Sequence, residues 1–167
     1  MNESESLPIP LPLSIHSDEY FMKQALCEAE LAFEEDEVPV GAVVVLDNRI
    51  IGRAHNQREQ LQDPTAHAEI LALTQAAEAV GTWRLSGANI YVTLEPCPMC
   101  AGALVNARVD RLVFGVTDQK SGACGTLWNL VQSEKLNHRM EVSGGLMADQ
   151  CLEILQEFFR RKRESEE

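Results

Sequence analysis

Apolar residues in the first fifth of the chain recur at helical spacing. Phe21, Met22, Ala25, Leu26, Ala29, Ala32 and Phe33 fall on one face of a 3.6-residue period, which predicts an amphipathic helix from Ser17 to about residue 36. Ser17-Asp18-Glu19 opens it, with two acids where the helix dipole favours them. The pattern then changes. Val38 to Leu46 is a nearly continuous apolar run, read as a buried strand, and Asp47-Asn48 tolerate the positive φ of a tight turn. Arg49 to Ala54 returns as a second strand, so the pair forms a hairpin. Residues from Asn56 to Pro64 are polar and read as a loop. Ile70, Leu71, Leu73, Ala76, Ala77 and Val80 then mark a second long helix, stopped by Gly81.

Two passages from strand to helix follow. Ala88 to Leu94 predicts a third strand that delivers the chain to a helix from Cys97 to about Ala107, and Val109 to Val116 predicts a fourth. After the loop from Thr117 to Gly122 come a short helical segment near Leu127–Val131, a brief strand at Met140–Ser143 and a last amphipathic helix. That helix carries Met147, Ala148, Cys151, Leu152, Leu155, Phe158 and Phe159. A hairpin followed by alternating helices and strands implies an α/β fold, its mixed sheet of about five strands covered on both faces. The expected organisation is a flexible N-terminal arm over residues 1–16, extended by its prolines, and a single domain over residues 17–167.

Composition narrows the picture only a little. A chain of 167 residues can bury a proper core, and it holds no run of 18 apolar residues, so no membrane span is expected. Two of its five cysteines form a Cys-x-x-Cys pair, leaving Cys27, Cys124 and Cys151; the odd remainder speaks against a disulfide framework and for a reducing cytoplasm. A net charge of −12 argues against nucleic acid at first sight. The charge is uneven, however. Residues 1–37 hold ten acids and one base, whereas Arg160-Arg161-Lys162-Arg163 is a run of four bases. Either a solvated helix end or a surface for an anionic partner fits that run.

The candidate chemistry lies in two short stretches. Pro96-Cys97-Pro98-Met99-Cys100 opens a helix with two sulfurs on one side of its first turn, at the dipole end that lowers thiol pKa values. With His67 they supply three ligands, one short of the tetrahedral set that zinc prefers and the arrangement of a catalytic zinc. In a helix interior His67 and Glu69 would point about 200° apart. Asp63-Pro64-Thr65 is a helix-start signal that puts both near the entry, where they can share a site.

His-x-Glu followed by Pro-Cys-x-x-Cys resembles the signature of zinc nucleobase deaminases. A closer resemblance, over roughly residues 17–163, is to bacterial tRNA-specific adenosine deaminases. It rests on Val38-Pro39-Val40-Gly41-Ala42, on Asp63-Pro64-Thr65-Ala66-His67-Ala68-Glu69, and on Leu94 to Ala103 around the two cysteines. Val113-Phe114-Gly115, Asn137-His138-Arg139 and Phe158-Phe159-Arg160 extend it. The resemblance implies a three-layer, cytidine-deaminase-like fold, one Zn2+ per subunit on His67, Cys97 and Cys100, and Glu69 as the catalytic proton carrier. The implied substrate is the wobble adenosine of a tRNA anticodon stem-loop, converted to inosine. Asn56, Asp118, Lys120, Phe159 and Arg160 are implied to border the RNA, and the subunit is expected to be half of a homodimer in the cytoplasm.

Two positions depart from the family pattern. Gln57 stands where an arginine is common, removing one phosphate contact, and Cys124 stands where a small residue is expected. As a fourth ligand Cys124 would close the zinc site. Two rival readings share the motifs: a deaminase of free guanine or cytosine, with a closed pocket, and a zinc-stabilised RNA-binding module with no role for Glu69.

Overall fold

The structure, a computed structural model, describes residues 15–167; most of the expected arm lies outside the described residues. Five strands form one mixed sheet in the order β2-β1-β3-β4-β5. They are β1 (Gly41–Leu46), β2 (Arg49–His55), β3 (Asn89–Leu94), β4 (Arg111–Val116) and β5 (Glu141–Ser143). β1 pairs antiparallel with β2 and β3, while β3, β4 and β5 run parallel. The helices are α1 (Asp18–Glu34), α2 (Arg58–Leu61), α3 (Ala68–Val80), α4 (Pro98–Ala107) and α5 (Ala148–Ser165). Among the described residues no helix is long and apolar enough to cross a membrane.

The continuous apolar run of β1 has a simple cause: both faces of the strand are covered. Val43 and Val45 pack with Phe21, Met22, Ala25, Tyr91, Val113 and Cys151, under α1 and α5. Ala42 and Val44 face the larger cluster, with Ala72 and Ala76 of α3 and Ala101 and Leu104 of α4. Alternate residues of one strand thus feed two cores. Two glycines let the helices approach. A Cβ on Gly41 would lie 2.0 Å from the Ala25 carbonyl oxygen of α1, and one on Gly52 would lie 2.3 Å from the Ala72 carbonyl oxygen of α3. The hairpin is pinched from both sides.

Long-range polar contacts lock α1 to the sheet. Ser17 caps it by accepting from the Tyr20 amide, and Asp18 receives both a bidentate pair from Arg111 and the Tyr91 hydroxyl, at 2.6–2.8 Å. At its other end the two ring nitrogens of His55 lie 2.9 Å from Glu28 and 2.8 Å from Glu35. Both partners are carboxylates, so both nitrogens donate and the ring is imidazolium. Upstream of the helix, the His16 amide donates to Asn48 and its ring stacks on Tyr20, so His16, within the expected arm, is packed on the domain.

Two local expectations need correction. Asn56 to Pro64 is not all loop: α2 forms there because the buried Glu37 carboxylate accepts from the Glu59 and Gln60 amides, capping the turn from a distant segment. Conversely, no helix forms at Leu127–Val131. Leu127 and Trp128 donate to the Gly122 carbonyl, Leu130 donates to Ala123, and Cys124 bridges Asn129 in a tight non-helical loop. The Leu127, Trp128 and Leu130 amides are thus spent on carbonyls five to seven residues back rather than on the i−4 partners of a helix.

The His55 cluster makes a signed prediction. Burial pulls its pKa down, but hydrogen bonds to Glu28 and Glu35 outweigh that and raise it. Its folded pKa lies above the unfolded value, so the stabilisation is complete below pH ~6.5 and is lost as pH rises through the raised value. Thermal unfolding of His55→Gln should therefore show a larger loss of Tm near pH 6 than near pH 9; equal losses would contradict the imidazolium.

Candidate active site

The site sits where the sheet edge meets two helix N-termini. His67 is the N-cap of α3 and Cys97 the N-cap of α4, both with extended backbone (φ −75°, ψ 152° and φ −73°, ψ 173°), and neither side chain caps its own helix. Both are therefore free to point at a ligand. Pro98 occupies the first turn of α4, where its lack of an amide proton costs nothing. Cys100, one turn into α4, is buried. The ligand atoms of His67, Cys97 and Cys100 all lie within 4.8 Å of one another.

The spacing fits zinc. Zn–S of about 2.3 Å and Zn–N of about 2.0 Å at a tetrahedral angle put sulfur and nitrogen about 3.5 Å apart. Nδ1 of His67 lies 3.6 Å from the Cys97 sulfur and 3.4 Å from the Cys100 sulfur. Two thiols and an imidazole are also the donor chemistry that zinc takes. Cys124 is outside this group: it is buried, and its thiol turns to the Pro96 carbonyl. The three donors are one short of the tetrahedral set that zinc takes.

Protons in the cluster are unevenly held. The Cys100 thiol donates to Cys97 and draws its pKa down to about 4 against the opposing effect of burial, with His67 assisting. Cys100 is pushed up correspondingly, and His67 is raised chiefly by its hydrogen bond to Cys97. Glu69, the second residue of α3, has an oxygen 4.0 Å from His67 Nδ1 and is 4 % exposed. Burial pushes its carboxyl up to about 7, although Cys100 and His67 pull it back. The helix entry does bring His67 and Glu69 to one side.

A groove of about 1900 Å³ opens over these residues. α1 (Leu26, Phe33), Asn56, Arg58, the 117–121 loop and α5 line it. Asn56 is buried in the wall, donating to the Val38 carbonyl and accepting from the Arg58 amide. Lys120, Phe159 and Arg160 reach the groove as exposed side chains, so all five expected RNA neighbours are brought together. Two are already engaged. The Asp118 carboxylate accepts from the Lys120 and Ser121 amides and the Ser121 hydroxyl, building its own loop. Arg160 is paired with Glu157 and Glu164 on α5. Arg58 escapes a motif reading, since only its place on α2 turns it to the groove; it stands one residue beyond the uncharged Gln57.

Fold and donor set define a hydrolytic deaminase, and the family described as MafB19-like deaminase matches residues 16–163. Within that class the chain belongs to the tRNA-specific adenosine deaminases. It is 54% identical to the tRNA-specific adenosine deaminase of Bacillus subtilis over 146 residues, 87% of this chain and 91% of that protein. A solved structure from studies of A-to-I editing by tRNA:A34 deaminases superposes with a TM-score of 0.79 at 48% identity, covering 81% of this chain and 99% of that one. A guanine deaminase from Bacillus subtilis is more distant: 33% identity, TM-score 0.60, with 66% and 71% covered.

The geometry separates the cysteines. Cys97→Ala and Cys100→Ala should each lower bound zinc, measured by elemental analysis of purified protein, from one ion per chain to a small fraction of that. Cys124→Ala should keep it. Loss of zinc in the Cys124 variant would place that thiol in the coordination sphere.

Proposed function

We propose that this enzyme deaminates the wobble adenosine of a tRNA anticodon loop to inosine, using zinc held by His67, Cys97 and Cys100 and Glu69 as proton carrier. The observation that carries the reading is the open groove above a buried carboxyl and a three-ligand cluster, in a chain 54% identical to a tRNA-specific adenosine deaminase. Pockets for small molecules run to about 300–1,000 Å³ and enclose their ligand. A groove of about 1900 Å³ leaves room for a polynucleotide to pass.

The chemistry asked of the chain is proton movement. Zinc, when bound, supplies a water with its pKa brought toward about 7. Glu69 accepts the proton of the attacking water and passes it to N1 of adenine, which makes C6 electrophilic. Once the water oxygen has added to C6, Glu69 takes the proton of the new C6 hydroxyl and delivers it to the departing amine, so adenine and water give hypoxanthine and ammonia. Burial raises the Glu69 carboxyl above the usual carboxylate range, which suits a group that must both take and give a proton. Asn56 forms the wall beside the base and Phe159 offers an exposed ring to a neighbouring base; stacking of this kind contributes about 1–3 kcal/mol per base. Lys120, Arg160 and Asp118 border the backbone path.

The remaining readings are of the same kind. The five cysteines are free thiols, consistent with a cytoplasmic enzyme. A second copy is the proposed partner. A Cβ on Gly102 of α4 would meet nothing within 4 Å, and Leu127 and Trp128 are exposed large apolar residues of the kind a subunit interface covers.

The test is deamination of a synthetic anticodon stem-loop carrying a wobble adenosine, beside free guanine, cytosine and adenosine. Inosine should form in the stem-loop alone and be lost on chelation. Glu69→Gln should retain zinc and fold while turnover falls ~10²–10⁴-fold, the range for removing a general acid–base group. Turnover of a free base with an untouched stem-loop would move the enzyme to nucleobase chemistry.

A further inference from the structure

Glu95 takes no part in the chemistry above, yet it is one of the most buried charged groups of the chain, 2 % exposed, two residues before Cys97. Its carboxylate is saturated by donors from a single loop. One oxygen accepts from the Asp118 amide at 3.2 Å and from the Thr126 hydroxyl. The other accepts from the Cys124 amide at 3.0 Å and the Thr126 amide at 3.2 Å. The loop is wrapped tightly around it: a Cβ on Gly122 would fall 2.5 Å from the carboxylate. The Ala123 amide donates to Pro96 and the Glu95 amide to Val116, which fastens both ends of the same turn. The loop held in this way carries Asp118, Gln119, Lys120 and Ser121, the rim of the groove.

We infer that Glu95 is a positioning residue for substrate: its carboxylate gathers the 117–126 loop and thereby sets the rim, Lys120 above all, against the nucleic-acid backbone entering the groove. An acceptor is required at both oxygens because three of the four partners are amides that can only donate. Glutamine keeps the shape but not the acceptors. Placed one way, its NH2 group meets the Cys124 and Thr126 amides. Placed the other way, the Thr126 hydroxyl can turn to accept but the Asp118 amide is left unpaired. Asp118 is where the rim begins, so the defect falls on the rim rather than on the ligand cluster.

This inference rests on the tRNA reading, and the experiment keeps the two apart. Steady-state deamination of the anticodon stem-loop is compared for the parent, Glu95→Gln, Lys120→Ala and the double variant, each normalised to its measured zinc content. Parent activity on the stem-loop tests the tRNA reading alone. For Glu95→Gln the expected result is a KM raised about tenfold with kcat within about threefold, the signature of lost binding rather than lost chemistry. Lys120→Ala should raise KM in the parent and add little to the Glu95→Gln variant, because residues acting through one loop are not additive. Amide hydrogen exchange over residues 117–126 should quicken in Glu95→Gln without RNA present. An unchanged KM would overturn the inference, as would fully additive effects. Should Glu95→Gln fail to fold, Glu95→Asp keeps the charge one methylene short, and its KM should rise in the same direction; an unchanged KM there overturns it equally.

Discussion

The structure depends on bringing two helix N-termini to one place. Each helix start leaves amides without intrahelical partners and carries the positive end of a dipole, the setting that favours thiolate. α3 and α4 meet there because each follows a strand of the same sheet and packs on the same face, with Ala72, Ala76, Ala101 and Leu104 as small and medium residues at the contact. Two of the three candidate donors, His67 and Cys97, occupy cap positions, where the backbone is still extended and the side chain is free. Glu69, at the second helical position, is carried to the same side. The pinched hairpin beneath holds α3 against the sheet, so the site's geometry is inherited from the core.

Much of this was legible in the sequence because it is locally encoded. Helical periodicity marked α1, α3 and α5, the proline and cysteines at its start marked α4, and the doubly buried β1 read as one apolar run. The helix-start signal at Asp63-Pro64-Thr65 allowed His67 and Glu69 to share a site despite their spacing. What was not legible is the work of two buried carboxylates. Glu37 caps α2 from over 20 residues away, and Glu95 gathers a loop that hydropathy reads as helical. Neither set of partners lies within a local window, and Glu37, at the end of the acidic run from Glu34, reads as solvated as its neighbours.

Charge required the structure in another way. The basic run of α5 is paired within the chain: Arg160 and Arg161 with Glu157, and Lys162 with Asp36 of the acidic segment after α1. Those arginines draw the exposed Glu157 carboxyl down to about 2. Exposed ion pairs of this kind contribute little to stability. In the tRNA reading phosphate groups replace the carboxylates at small cost, which lets a chain of net charge −12 present cations to RNA. The adjacent phenylalanines divide the work, Phe158 buried against Phe33 and Phe159 exposed at the groove.

The most direct test of the account is X-ray absorption at the zinc edge on the metal-loaded protein in solution. Two cap ligands, one cysteine a turn further on and an open position predict two sulfurs near 2.3 Å and two nitrogen or oxygen atoms near 2.0 Å. Three sulfurs, with Cys124 drawn into the shell, would mean a closed structural site and would contradict both the geometry and the catalytic role assigned to Glu69.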